Sequence, residues 1–295
     1  MTNKIEHWQL LSRQAQPLEM KIRMTQTRIR AAHDHWNGDV YVSYSGGMDS
    51  TVLLHIAREL YPSIPAVFIK SLPYPEIWEH VQATPGVTVL RPKKTFPQIV
   101  REYGWPIVSK ENSQKIYEVR TTKSDKLRRK RMHGDNTRRR SGKIPDKWMY
   151  LIDAPFKISD RCCYWMKKSP AQAYQGQSKR CPVLGARVQE SRFRLQSYIR
   201  HGCNALDVRK PRSWPLAFWR DEDIWEYVRQ FSVPYSRIYD MGYKRTGCFP
   251  CAFGAHMEKE PNRYQRMKST HPKLHEWCGN LGLWEVLEYI GVPHE

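Results

Sequence analysis

Two groups of residues in this chain have the types and spacing that chemistry needs. The first is Ser45-Gly46-Gly47-Met48-Asp49-Ser50. It follows an alternating, β-favouring run at 39–44 and precedes apolar positions 52, 53, 56, 57 and 60, the spacing of one helix face. Strand, glycine loop and helix together make an anion cradle. Glycines let backbone N–H groups approach phosphate oxygens, and the helix N-terminus adds its own unpaired N–H groups. Ser45 and Ser50 add hydroxyl donors, and Asp49 either holds the loop by capping or helps place Mg²⁺. The Gly-Lys-Ser/Thr ending of a Walker loop is missing, so a nucleotide or pyrophosphate is expected here on a different cradle.

The second group is four cysteines in two pairs, Cys162-Cys163 and Cys248-Phe-Pro-Cys251. A CxxC pair directs two thiolates to one point, and a second pair completes a four-thiolate site suited to zinc or to an iron–sulfur cluster. Adjacent cysteines are less usual for structural zinc, which favours iron–sulfur. Arg161, Lys167, Lys168 and Arg245 are expected to lower the thiolate pKa values and offset cluster charge. A third, weaker pattern is Arg187, Ser191 and Arg194 after Gly185. Guanidinium forks suit phosphate or sulfate oxygens, whereas the plain alternative is a basic helix face.

These residues need a scaffold. Short apolar runs at 39–44, 64–69, 87–90, 149–152 and 183–184 alternate with helical patterns or turns, which implies a Rossmann-like parallel sheet with flanking helices and ligands at the carboxyl ends of the strands. Residues 1–38 read as a helical lead-in, 39–256 as the nucleotide-binding and four-cysteine domain, and 257–295 as a C-terminal helical segment. Asp221 is placed as the cap of a helix through Ile224 and Val228. The face of Leu283, Val286, Leu287 and Ile290 reads as core.

The chain carries 49 basic and 29 acidic residues, a net charge of +20. Such a field suits polyanions: nucleotides or nucleic acid. Residues 120–147 hold 12 basic and 3 acidic residues with few large apolar ones and read as an inserted basic loop, a candidate nucleic-acid clamp. No run approaches the roughly 20 apolar residues of a membrane helix. No secretory signal pattern is visible at the start, so the cytoplasm is expected and a disulfide framework is not.

The hexapeptide resembles the PP-loop of ATP pyrophosphatases and their sulfonucleotide-reducing relatives. Further matches follow in order: Cys162-Cys163 with Lys167, Gly185-Ala-Arg187-Val-Gln-Glu-Ser191-Arg-Phe-Arg194, Trp214-Pro-Leu216 with Trp219, Asp223-Ile-Trp225, Pro234-Tyr235, Gly242-Tyr243 and Gly247-Cys248-x-x-Cys251. On these, the chain is similar to the phosphoadenylyl-sulfate (PAPS) and adenylyl-sulfate (APS) reductases from about residue 39 to 256. The resemblance implies a [4Fe–4S] cluster on Cys162, Cys163, Cys248 and Cys251, with Lys167 close to it. It also implies Arg187 on the substrate's anionic group, with Arg192 and Arg194 as weaker candidates. The activity it implies is reduction of the sulfonucleotide to sulfite and adenosine phosphate with a thioredoxin-like reductant.

The pattern departs from that family in two places. Where the reductases carry Asp/Asn-Thr-Gly before Pro-Glu, this chain has Ile69-Lys70-Ser71-Leu72-Pro73-Tyr74 before Pro75-Glu76. The family's catalytic cysteine in a Glu-Cys-Gly-x-His tail is missing too. The nearest candidate is Cys278, with Cys181 and Cys203 weaker. Two other functions are therefore weighed: ATP-dependent, adenylating sulfur transfer to a nucleic acid, using Mg-ATP, and a nucleic-acid-binding module with an inert loop.

Overall fold

The run Val-Tyr-Val-Ser-Tyr is β-branched and aromatic and is buried on both faces, as a central parallel strand requires. It forms β1 (Val40–Tyr44) in the computed structural model, which describes residues 5–135, 141–244 and 246–295. The other strands are β2 (Ala66–Ile69), β3 (Val87–Leu90), β4 (Ile107–Val108), β5 (Cys181–Leu184), β6 (Asn204–Ala205), β7 (Arg212–Ser213) and β8 (Ala252–Phe253).

Six strands make one sheet in the order β3-β2-β1-β5-β7-β6. Val42 is opposite Ala66 on one side and Val183 on the other, both parallel. Only the β6–β7 pair is antiparallel. The chain leaves β1 toward β2 on one side and later returns to β5 on the other. The carboxyl end of β1 is therefore the point where strand order reverses, the usual ligand position in such sheets. Residues 45–50 leave the sheet there. The α/β class and its largely parallel sheet are as the sequence implies.

The chain divides into two units, Met1–Arg91 with Ala171–Thr246, and Pro92–Pro170 with Gly247–Glu295. The first holds the six-stranded sheet. Its Met48–Leu60 helix buries Val52, Leu53, Leu54, Ile56 and Ala57. Two helices, His7–Gln14 and Leu18–His35, precede β1. The second unit holds the two-stranded β4–β8 ladder among helices, ending in Leu283–Tyr289 with Leu283, Val286 and Leu287 buried.

Three local expectations are corrected. The apolar run 149–152 is not a strand but part of the 3₁₀ turn Asp146–Asp153, in which only Trp148 and Leu151 are buried. With two large side chains turned inward, a three-residue period satisfies it better than alternation does. The basic segment 120–147 is not all loop, since Asp125–His133 is a helix with no buried residue, capped by the Ser124 hydroxyl. Asn136 to Arg140 lie outside the described residues. Asp221 is the first residue of its helix rather than its cap. Arg220 takes the cap position, and its N–H donates to the Asp223 carboxylate at 2.7 Å. Lys21 also donates to both oxygens of Asp223 at 2.7 Å.

Candidate functional site

In the first unit, the loop after β1 is braced by its own serines. The Ser50 hydroxyl donates to the Gly47 carbonyl at 2.8 Å and lies 2.9 Å from the Ser45 hydroxyl. The Ser45 N–H donates to Ser50 Oγ at 3.1 Å, and the Gly47 N–H to Ser45 Oγ at 3.3 Å. The two hydroxyls named as phosphate donors thus first hold the loop's shape. Gly46 sits at φ +71°, a left-handed conformation that L side chains rarely adopt. Gly47 caps the helix through its backbone without a side-chain bond.

Asp49 does not cap. Its carboxylate faces Arg187, whose Nε is 3.0 Å away. Burial pushes the Asp49 carboxyl above its ordinary value, and the Arg187 guanidinium opposes that push. A desolvated acid beside a fixed cation is a pair whose charge balance an incoming anion would change.

Arg187 itself is 7% exposed. It stands on extended backbone rather than on a helix. It reaches Asp49 because Gly185 lies against the first turn of the Met48–Leu60 helix: a Cβ on Gly185 would sit 2.9 Å from the Asp49 carbonyl oxygen and 3.1 Å from the Ser50 nitrogen. Nη2 of Arg187 donates to Asp221 at 2.6 Å, while buried Nη1 makes no hydrogen bond. That unpaired donor, in a group held on two sides by carboxylates, suits an anionic oxygen.

Of the other two members of the arginine pattern, Arg194 adds its charge to Arg187's in opposing the upward push on the Asp49 carboxyl. Ser191 caps the Arg192–His201 helix, accepting from the Arg194 N–H at 3.2 Å. Arg194 pairs with Glu190. A helical spacing across residues 187–194 is thus replaced by extended chain, a short 3₁₀ turn and then the helix.

Two residues here were not singled out from the sequence. Tyr239 Oη accepts from the Met48 N–H at 2.7 Å. The Thr246 hydroxyl would lie 2.7 Å from a Cβ on Gly47 and is 3.5 Å from Tyr239 Oη. A hydroxyl pair therefore stands at the helix N-terminus, where an anion's oxygens would be received. Nothing in the local pattern of Tyr239 marks it. Thr246 is distinguished only by preceding Gly247-Cys248.

The second unit holds all four paired cysteines. Cys162 and Cys163 lie on the turn Arg161–Cys163, which runs directly into a π-helical turn, Tyr164–Lys168. Such turns reset the helical register and recur at functional sites. Cys248 and Cys251 share a tight turn in which the Cys251 N–H donates to the Cys248 carbonyl at 3.1 Å. Arg263, paired with Glu258, donates to the Cys251 carbonyl at 2.9 Å.

The four thiols feel one another. Burial pushes the Cys162 thiol up, and Cys248, Cys163 and Cys251 add to the push. Cys251 is pushed up to about 11, by burial and then by Cys248. Cys163 is raised by burial while Lys110 and Lys167 oppose. Lys167 is held above the ordinary lysine value chiefly by Cys248. Lowered thiol pKa values, expected from the basic neighbours, are thus corrected for Cys162, Cys163 and Cys251: burial and mutual repulsion outweigh the cations. Arg161 lies instead over the Tyr117 ring at 5.4 Å, and Arg245 is outside the described residues.

Cys278 is fully buried at 0% in the Pro272–Asn280 helix, and burial pushes its thiol up to about 12. A thiol so placed has little thiolate near neutral pH and no exposed path to a substrate. This arrangement does not present Cys278 as a nucleophile.

Residues 39–253 match the family model described as the phosphoadenosine phosphosulfate reductase domain. The chain belongs to that family. Similar proteins include an adenosine 5′-phosphosulfate reductase from Staphylococcus epidermidis, 22% identical over 230 residues, covering 76% of this chain and 74% of that one. Another, from Bacillus cereus, is 22% identical over 247 residues, covering 83% and 87%. A third, from Allochromatium vinosum, is 34% identical over 91 residues, covering 30% and 34%. Among solved structures, PAPS reductase from Candida auris in a phosphate complex has TM-score 0.44 at 16% identity, over 76% of this chain and 87% of that one. The U34-tRNA thiolase NcsA from Methanococcus maripaludis with its [4Fe-4S] cluster has TM-score 0.38 at 13% identity, over 93% and 82%. The matched span of the family model takes in the glycine loop, Arg187 and both cysteine pairs. Among the described residues, no helix is long and apolar enough to cross a membrane.

Proposed function

We propose that this family member is an enzyme that binds an adenine sulfonucleotide, APS or PAPS, at residues 45–50 and reduces it to sulfite and an adenosine phosphate. The observation that carries this reading is Arg187: a buried guanidinium with an unpaired Nη1, held against the phosphate loop by Asp49 and Asp221. In the reaction, a thiolate attacks the sulfur of the bound nucleotide. The S–O bond breaks, and its electron pair leaves on the nucleotide's phosphate oxygen. A second thiol then attacks the S-sulfonated thiol, forming a disulfide and releasing sulfite. Both thiols belong to a thioredoxin-like dithiol donor in this reading, because Cys278 is withheld by burial. Arg187 and the N–H groups of Gly47 and Met48 hold the phosphate oxygens and stabilise the charge that develops on them. Tyr239 and Thr246 exchange their present partners for those oxygens.

Cys162, Cys163, Cys248 and Cys251 would hold a [4Fe–4S] cluster. The fit rests on the donor set: two cysteine pairs in one unit, Cys162-Cys163 running into a π-helical turn and Cys248 and Cys251 sharing a tight turn. Such a group supplies electrostatic tuning of its surroundings when bound. The adjacent pair Cys162-Cys163 is less usual for structural zinc, which favours the cluster.

A second reading is ATP-dependent sulfur transfer to a nucleic acid, favoured by the buried Cys278 and by the exposed basic helix Asp125–His133. Calorimetry on anaerobically purified protein separates the two. Tighter binding of APS or PAPS than of Mg-ATP is expected, and preference for Mg-ATP overturns the reductase reading. Iron and sulfide near four of each per chain are expected for the cluster; zinc alone overturns it.

A further inference from the structure

We propose that the second unit carries a surface for single-stranded nucleic acid, built from the exposed face of the Asp125–His133 helix and an adjoining aromatic cluster of Tyr150, Phe156 and Tyr289. The surface goes beyond the reductase reading and does not depend on it, and it is tested without any nucleotide in the phosphate loop.

The charge is the first observation. The described parts of residues 120–147 hold nine basic and three acidic residues. Arg128, Arg131 and Lys143 are paired with Asp125, Glu118 and Asp146. Lys123, Lys126, Arg129 and Lys130 are exposed and have no ion-pair partner among the described residues. The helix buries nothing, so packing does not account for it. A solvated face ordinarily mixes both signs of charge, whereas this one concentrates cations, each a counter-charge for a phosphate.

The aromatic cluster is the second. The Arg131 carbonyl accepts from the Ile144 N–H at 2.8 Å, so the chain after the basic helix folds back along it. It then enters the turn that carries Tyr150. At the other end of the corner, Arg120 donates to the carbonyls of Ala154 and Phe156 at 2.8 and 2.6 Å. The Tyr289 ring lies 5.7 Å from that of Tyr150 and 5.3 Å from that of Phe156. Tyr150 is 42% exposed and Tyr289 39%. Open rings on the segment that folds back along this helix, with cations that have no ion-pair partner among the described residues, supply what unstacked bases and their phosphates require together. A duplex offers the phosphates but keeps its base faces stacked, so the pairing of the two features selects a single strand.

The test is fluorescence anisotropy with a fluorescein-labelled, mixed-sequence 20-nucleotide single-stranded RNA, the matching DNA and the DNA duplex. Single-strand affinity should fall about 100-fold between 50 and 200 mM salt if about five phosphates are engaged. The quadruple variant K123A/K126A/R129A/K130A should lose most of that salt dependence and weaken binding more than tenfold. Tyr150→Ala should weaken single-strand binding about tenfold and leave duplex binding unchanged. Undiminished binding by the quadruple variant, or no binding to any oligonucleotide at 50 mM salt, overturns the surface. A duplex bound as tightly as the single strand, with Tyr150→Ala silent, overturns the single-strand assignment. Circular dichroism and nucleotide calorimetry on the same variants separate these failures from loss of fold or of the phosphate loop.

Discussion

Substituting Gly185 by alanine tests how the arginine is delivered to the phosphate loop. The added Cβ would sit 2.9 Å from the Asp49 carbonyl oxygen, 3.0 Å from its carbon and 3.1 Å from the Ser50 nitrogen. All three are backbone atoms of a helix's first turn and cannot swing aside. Overpacking of this kind costs about 1–3 kcal/mol, offset by about 0.4–1 kcal/mol from a less flexible unfolded chain. The net expectation is about 1–2 kcal/mol of destabilisation. Gly47→Ala is the control. Gly47 has an ordinary φ of −83°, and its nearest obstacle, at 2.7 Å, is the side-chain hydroxyl of Thr246. Thr246→Ala removes that obstacle, so the Gly47→Ala cost should nearly vanish in the Thr246→Ala background, while the Gly185→Ala cost should persist. Urea denaturation of the three single and two double variants beside wild type reads both couplings. Calorimetry should also show Gly185→Ala lowering nucleotide affinity by about tenfold, since a misplacement near 1 Å is costly at a positioned charge. Gly185→Ala unfolding within about 0.3 kcal/mol of wild type, or rescue of both glycine variants by Thr246→Ala, would refute the close-approach argument.

Arg187→Lys keeps the charge but loses the planar fork, and should raise the dissociation constant of the preferred nucleotide by about 10–100-fold in calorimetry. An unchanged constant would mean that Arg187 only braces Asp49. Cys278→Ala should keep wild-type turnover per folded molecule, measured as sulfite release, while Cys278→Ser should lose about 1–3 kcal/mol from an unpaired buried hydroxyl; lost turnover in both would restore Cys278 as the nucleophile. Burial holds the His80 imidazole below the ordinary histidine value, so the neutral ring is the native form. Its contribution is complete above an unfolded value of about 6.5 and is lost as pH falls from there toward the lowered folded value. Denaturation midpoints should decline through that window, no more steeply than about 1.4 kcal/mol per pH unit from this group, and His80→Gln should flatten the decline.

Much of this arrangement was legible because it is local. A strand, two glycines and an amphipathic helix announce the cradle within 22 residues of chain, from 39 to 60, and the sheet order places it at the switch point. Paired cysteines announce themselves in the same way. What was not legible depends on distant partners. Tyr239 reaches Met48 across 191 positions, and no local spacing encodes that. Arg187 was named for its charge, but its hold on Asp49 depends on a missing Cβ at Gly185. The helical spacing read across 187–194 misled, since Arg187 stands on extended chain, Ser191 caps the next helix and Arg194 pairs with Glu190. Sequence pattern misled also at 149–152, where four apolar residues alone cannot separate a strand from a tight helical turn.

The distribution of the four cysteines along the chain carries one further consequence if they hold a cluster. Cys162 and Cys163 belong to the segment between β3 and β5, and Cys248 and Cys251 follow the last strand of the large sheet. Those two segments make up the second unit, whose own ladder is only two residues long, Ile107 with Ala252 and Val108 with Phe253. That ladder begins at the residue after Cys251, and the Gly254 N–H extends it to the Val108 carbonyl at 2.8 Å. So short a ladder contributes little by itself, and metal binding to a site absent from the unfolded chain is folding free energy. Chelating the iron, or replacing Cys251 by serine, should therefore speed amide exchange in residues 92–170 and 247–295. The amides of β1, β2 and β5 should be spared, since they rest on a six-stranded sheet that needs no metal. Hydrogen exchange read by mass spectrometry separates the cases. Equal acceleration in both units would mean that the chain unfolds as one cooperative body. No change in either would mean that the four thiols hold nothing the fold depends on.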